Sequence, residues 1–137
     1  MYTNRLFIRG GNISVIVALH DALFGRNKNV RGQASEIIIN EPPELTELPE
    51  NFDSERALRL LSTRNERATT KEAMFILLCL ESNLENVETL ADYFIRKEYA
   101  PYGSPSVRES SFLIFKEFLV RNMVNPNQLF DAEQHIS

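Results

Sequence analysis

The chain holds one cysteine, two histidines and no tryptophan in 137 residues. Cys79 has no partner for an internal disulfide, which excludes a disulfide-stapled scaffold. Cys79 with His20 and His135 falls short of the four ligands of a Cys/His zinc site. No apolar run approaches the ~20 residues that a membrane helix needs. The first residues lack the basic, apolar, small-residue order of a secretory signal, because Leu6-Phe7-Ile8 is short and Gly10-Gly11 follows it. There is no His-Glu-x-x-His, no calcium loop and no paired zinc-ligand spacing. These absences lead us to expect a cytoplasmic or nuclear protein that makes no membrane contact, binds no metal, carries no cofactor and has no catalytic residues.

Bulky apolar material is present. Nine Phe and four Tyr, within 43 % apolar residues, are enough for one core. A chain of this length buries roughly two-thirds of the surface that its unfolded form exposes. Charge is unevenly spread. Residues 1–31 carry a net +4, while residues 32–68 and 69–137 carry −4 each, for a formal total of −4. A nonspecific nucleic-acid binder gathers positive charge. Only the N-terminal third does so here, in the polar stretch Gly25–Gly32. Within that stretch Arg26, Lys28 and Arg31 are the candidate anion or nucleic-acid contacts. The segment ends without Gly-Lys-Ser/Thr, so it is no nucleotide loop.

The expected fold is mainly α: a small helical, bundle-like domain with a less regular N-terminal segment that has room for one or two short strands. Residues 1–40 form that segment, packed on the body. Ile13 to Phe24 reads as a helix, with Ile13–Val17 as a strand in the alternative reading. Residues 25–32 read as a basic loop, and Ile37-Ile38-Ile39 as a short strand or extended piece. Residues 41–52 are an acidic linker in which Pro42-Pro43 forbids regular helix.

Residues 53–124 form the helical body. Asp53 or Ser54 caps a helix to about Leu61. Thr69 and Glu72 form a capping box for a helix containing eight consecutive apolar residues, Ala73–Leu80, which must be packed on several sides. Cys79 sits in that run as an inert core residue. Asn86 caps a helix to about Lys97, with Val87, Leu90, Ala91 and Phe94 on one face. A last helix opens at Ser104-Pro105 and runs to about Met123 or Val124. Residues 125–137 read as a flexible tail.

The last helix is the most informative element. Nine of the thirteen residues 112–124 are apolar, wrapping well beyond the ~100° stripe that faces one core. Phe112, Phe115, Leu119 and Met123 can meet residues 73–80. Leu113, Ile114, Phe118 and Val120 then need another cover, and we take these four as the candidate interface. A second copy supplies that cover most simply, since a twofold contact lets one patch satisfy itself.

From Thr69 the order is helix, polar turn, helix, loop, helix. The residues Thr70-Lys71-Glu72-Ala73, Ile76-Leu77, Leu80, Asn83 and Glu88-Thr89-Leu90 faintly resemble the first two helices of winged-helix regulator domains. That resemblance implies a DNA-binding regulator, with Ser106-Val107-Arg108 opening the recognition helix. The chain departs from the pattern where residues 112–120 are mostly Phe, Leu, Ile and Val, and where no Gly-rich wing follows. The leading expectation is therefore a non-catalytic protein-interaction or regulatory module acting through an apolar helical surface, homodimeric and with a protein partner. A DNA-binding regulator or a structural assembly subunit is the alternative.

Overall fold

A computed structural model describes residues 15–43, 48, 52–96 and 105–125. Among them are six α-helices: α1 (Val15–Leu23), α2 (Lys28–Asn40), α3 (Ser54–Ser62), α4 (Ala68–Glu81), α5 (Val87–Arg96) and α6 (Pro105–Arg121). A single 3-10 turn, Leu84–Asn86, joins α4 to α5. No strand occurs among the described residues, so the fold is a mainly α-helical bundle.

The central element is α4. Every side chain from Glu72 to Leu80 is buried, as expected for a helix with no polar periodicity. It packs against α2, α3, α5 and α6, while α1 covers α2. Between α4, α5 and α6 the aromatic rings concentrate: Phe75, Phe94, Phe115 and Phe118 pack ring on ring, with centroids of neighbouring rings 5.0–6.2 Å apart. Such pairs add ~0.5–1.5 kcal/mol each beyond their area.

The segment after α1 corrects the sequence reading. Residues 28–40 are one helix, so the basic loop ends at Asn27 and Ile37–Ile39 is not a strand. The Asn27 side chain caps this helix, accepting from the N–H groups of Asn29 and Val30 at 2.9 and 3.1 Å. Ala34, Ser35, Ile38 and Ile39 form its inward face. Gly32, which costs helix propensity, is there for a close approach. A Cβ at that position would lie 2.6 Å from Cδ of Arg67, whose side chain crosses α2 at this point.

Two further expectations are corrected. The capping box at Thr69 and Glu72 does not form: α4 starts at Ala68 after Arg67, with no side-chain cap, and Glu72 points into the core. Its carboxylate instead accepts hydrogen bonds from Tyr93 Oη at 2.9 Å and from Ser111 Oγ at 2.5 Å. Asn86 does not cap α5, because it closes the 3-10 turn and is buried, while Asn83 caps that turn. Asp53 does cap α3, accepting from the Arg56 N–H at 2.9 Å.

The end of α6 is a Schellman motif. Met123 has φ 61°, and the N–H groups of Val124 and Met123 return to the carbonyls of Leu119 and Val120. This stops the helix at Arg121, ahead of Asn125-Pro126. Of the acidic stretch 41–52, Pro43 and Phe52 are buried and Leu48 packs against the core. The tail after Asn125 and the N-terminal residues before Val15, Arg5 and Arg9 included, lie outside the described residues.

Candidate interaction surface

The seven singled-out residues of the last helix and the basic segment part ways in the structure. Leu113 and Val120 are exposed on α6, at 52 % and 63 % of their full accessibility. Ile114 is half-buried beside them. Phe118 is not available at any surface: it is fully buried and its ring packs on Phe115 at 6.2 Å. The split assigned to α6 is therefore corrected, with Phe118 moving to the core and Met123, at 94 % exposure, moving outside. The physical reason is the helix phase. Positions 111, 115, 118 and 119 face inward together, which leaves 113, 116, 117 and 120 outside.

Next to that outer face lies a groove of about 350 Å³. One wall is α6, through Leu113, Ile114, Glu117 and Arg121. The other comprises Pro42 and Pro43, just after α2, together with Leu80 at the end of α4. The paired prolines cannot continue a regular helix, and α2 ends ahead of them at Asn40. Arg121 fixes the floor. Its guanidinium donates to Ser82 Oγ at 2.7 Å and to the Cys79 carbonyl at 2.9 Å, closing the C-terminus of α4 where Ser82 adopts φ 62°. A third contact, at 3.4 Å, reaches Glu117 one turn back on α6. The resulting surface is apolar, with one carboxylate and one guanidinium side by side.

The basic residues separate in the same manner. Arg26 and Lys28 are exposed. Arg31 is buried, and its Nε and Nη2 donate to the two carboxylate oxygens of Glu66 at 2.8 and 2.7 Å, while Nη1 donates to the Gly25 carbonyl at 2.8 Å. The hydrogen bonds to Glu66 hold the Arg31 guanidinium above its ordinary pKa against the opposing effect of burial. The same hydrogen bonds hold Glu66 below the usual carboxylate range. Arg31 is thus a structural tie between α2 and the α3–α4 connection, and is not free for an external anion.

Among the described residues the remaining reactive groups do not converge. His20 is half-buried, its ring 5.0 Å from Phe24 and its Nδ1 3.7 Å from Asp21 Oδ1. Cys79 is buried. Burial first, and then the neighbouring Glu72 carboxylate, raise the Tyr93 hydroxyl far above the usual tyrosine pKa, so it serves as a hydrogen-bond donor in the core. Among the described residues no group of three or more His, Cys, Asp and Glu side chains is placed to hold a metal ion. His135 lies outside the described residues.

Of the residues expected at an interface, Leu113, Ile114 and Val120 lie on or beside this face; Pro42, Pro43, Leu80 and Arg121, which share the groove, were not among them. The paired prolines were the available signal, since they end α2 and line one wall of the groove. The described residues form a small, mainly α-helical domain, and no described helix is long and apolar enough to cross a membrane. Neither a family model, a curated protein nor a solved structure matches the chain.

Proposed function

We propose that this chain is a non-catalytic protein-interaction module, in which the outer face of α6 and its adjoining groove pair with the same face of a second copy. The observation that carries this reading is the apolar remainder on α6. After Phe115, Phe118 and Leu119 are buried in the bundle, Leu113 and Val120 still face solvent beside an open groove. A helix that only covered a core would present polar residues there.

The charge pattern favours a second copy as the occupant. Glu117 and Arg121 sit one turn apart within the apolar face. An antiparallel, twofold pairing of α6 helices centred on the turn that carries Val120 sets Glu117 opposite Arg121 of the partner subunit, and the reverse by symmetry. Each large apolar side chain fully removed from water contributes about 1.5–3 kcal/mol before the costs of association.

Placing Val120 near the twofold axis gives a direct test. Cys79 is the chain's one cysteine and is buried, so an introduced thiol reports on its own surroundings. Val120→Cys should form a covalent dimer under mild oxidation at low micromolar concentration, because facing near-axis positions come within disulfide reach. Glu88→Cys, exposed on α5, is the control. Cross-linking of Val120→Cys no faster than the control contradicts the pairing.

A further inference from the structure

A second surface lies at the other end of the bundle, and it does not depend on the α6 face. α2 and α4 run side by side in the same direction. Their N-terminal ends are joined by the Arg31–Glu66 pair and by a hydrogen bond from Arg67 Nη2 to Asn29 Oδ1, and near their C-terminal ends Pro42, Pro43 and Leu80 share one groove. The segments that build the N-terminal end, residues 24–32 and 63–71, hold Arg26, Lys28, Arg31, Arg64, Arg67 and Lys71 against Glu66 as their one carboxylate. Glu66 is consumed internally: it is buried and bonded through both oxygens to Arg31. Five cations remain. Arg26, Lys28, Arg64 and Arg67 are exposed and Lys71 is partly so.

This crowding runs against the charge of the chain, which is −4 overall. One further carboxylate, Asp21, is exposed in the last turn of α1 beside Gly25, so this end holds five cations against one exposed carboxylate. Glu117 lines the groove, and Glu41 and Glu81 adjoin its residues Pro42 and Leu80. Like charges gathered in excess of their counter-charges weaken a fold slightly and create a local field for an anionic partner. Lys28 already acts at this range, since its charge is one of the influences lowering the pKa of Glu66. Three of the five cations are arginines, whose planar fork matches a phosphate group. The partial positive ends of α2 and α4 point the same way.

We propose that this end of the bundle, with Arg26, Lys28, Arg64, Arg67 and Lys71, docks the phosphodiester backbone of a nucleic acid without reading its sequence. The acidic groove end then faces away from the polyanion.

Fluorescence anisotropy with the full chain and a labelled mixed-sequence 20-base-pair duplex tests this. Four phosphate contacts give a slope of about −3.6 in log affinity against log salt, or roughly a hundredfold weaker binding at 200 mM than at 50 mM salt. The double variants Lys28→Gln/Arg64→Gln and Arg26→Gln/Arg67→Gln should each flatten that slope by about 2. Arg96→Gln/Lys116→Gln, on α5 and α6, should leave it unchanged. The first double variant alters two exposed side chains and spares the Arg31 tie, so loss of binding with unchanged circular dichroism is a surface effect. Three results overturn the proposal: no binding at 50 mM salt with 100 µM protein, double variants that bind like the wild type, or displacement of the duplex by a poly-glutamate peptide at equal charge concentration. The last would assign the surface to an acidic protein.

Discussion

Phe115→Ala is expected to lower the free energy of unfolding by about 3–5 kcal/mol, the range for truncating a fully buried phenylalanine. Phe115 is inaccessible to solvent, and its ring lies between those of Phe75 on α4, Phe94 on α5 and Phe118 on α6, with centroids 5.6, 5.0 and 6.2 Å away. Truncation leaves a cavity among three helices whose backbones are held by other contacts, so collapse is incomplete and the cost falls within that range rather than below it. Loss of ring–ring attraction adds to the transfer cost. Urea denaturation gives the answer directly, as a lower midpoint with an unchanged slope. A midpoint within a few tenths of a molar of the wild type contradicts the placement of α6. Phe118→Ala should behave alike, which separates a core residue of α6 from the exposed Leu113 and Val120.

Glu66→Gln is expected to cost about 3 kcal/mol at neutral pH, at the low end of the range for a buried pair that loses one partner. Arg31 would keep its charge in a buried position, with the Gly25 carbonyl as a remaining acceptor. That second acceptor is the reason for choosing the low end. The pH dependence carries the sign. The folded-state pKa of Glu66 is depressed, chiefly by the hydrogen bonds from Arg31. Its contribution is therefore fully present above the ~4.3 of an unfolded glutamate and is lost as pH falls through the lower folded value. Arg31 is raised and loses its contribution only in strong alkali. Wild type and Glu66→Gln should differ most from pH 6 to 8, and the difference should narrow as pH falls below ~4.3. Parallel stability curves from pH 7 to pH 3 would show that the pair does not act as described.

The architecture was legible in the sequence where apolar periodicity was strong. The eight-residue run Ala73–Leu80 required a helix covered on several sides, and α4 is that helix. Val87, Leu90, Ala91 and Phe94 marked α5, and Pro105 marked the start of α6. The failures have local causes. Gly32 and three consecutive isoleucines disguised α2, because glycine and β-branched residues argue against helix one residue at a time. What overrides that propensity is tertiary: Arg67 needs the missing Cβ, and Ile38 and Ile39 need the core. Thr69 and Glu72 match a capping box in spacing, yet Glu72 is taken by Tyr93 and Ser111, which lie 21 and 39 residues further along the chain. No local pattern announces such partners.

The candidate surface was readable to the same degree. The excess of apolar residues on α6 was visible, but the phase that separates Phe118 from Val120 depends on which turn docks against α4. Arg31 looked like a free cation because Glu66, its partner, is 35 residues away. The cations that stayed exposed, Arg64 and Arg67 among them, belong to a connection that reads as an ordinary charged link until α2 is set beside it.

Sedimentation equilibrium of the wild type over a hundredfold range of concentration tests the pairing through α6 most directly, with Leu113→Glu/Val120→Glu run alongside. The chain mass is 15.8 kDa. The wild type should approach twice that mass as concentration rises, while the double variant stays at the single-chain mass with its helical circular dichroism intact, because both substituted residues are exposed. A wild type that remains at the single-chain mass across the whole range, or a double variant that dimerises as the wild type does, contradicts the account.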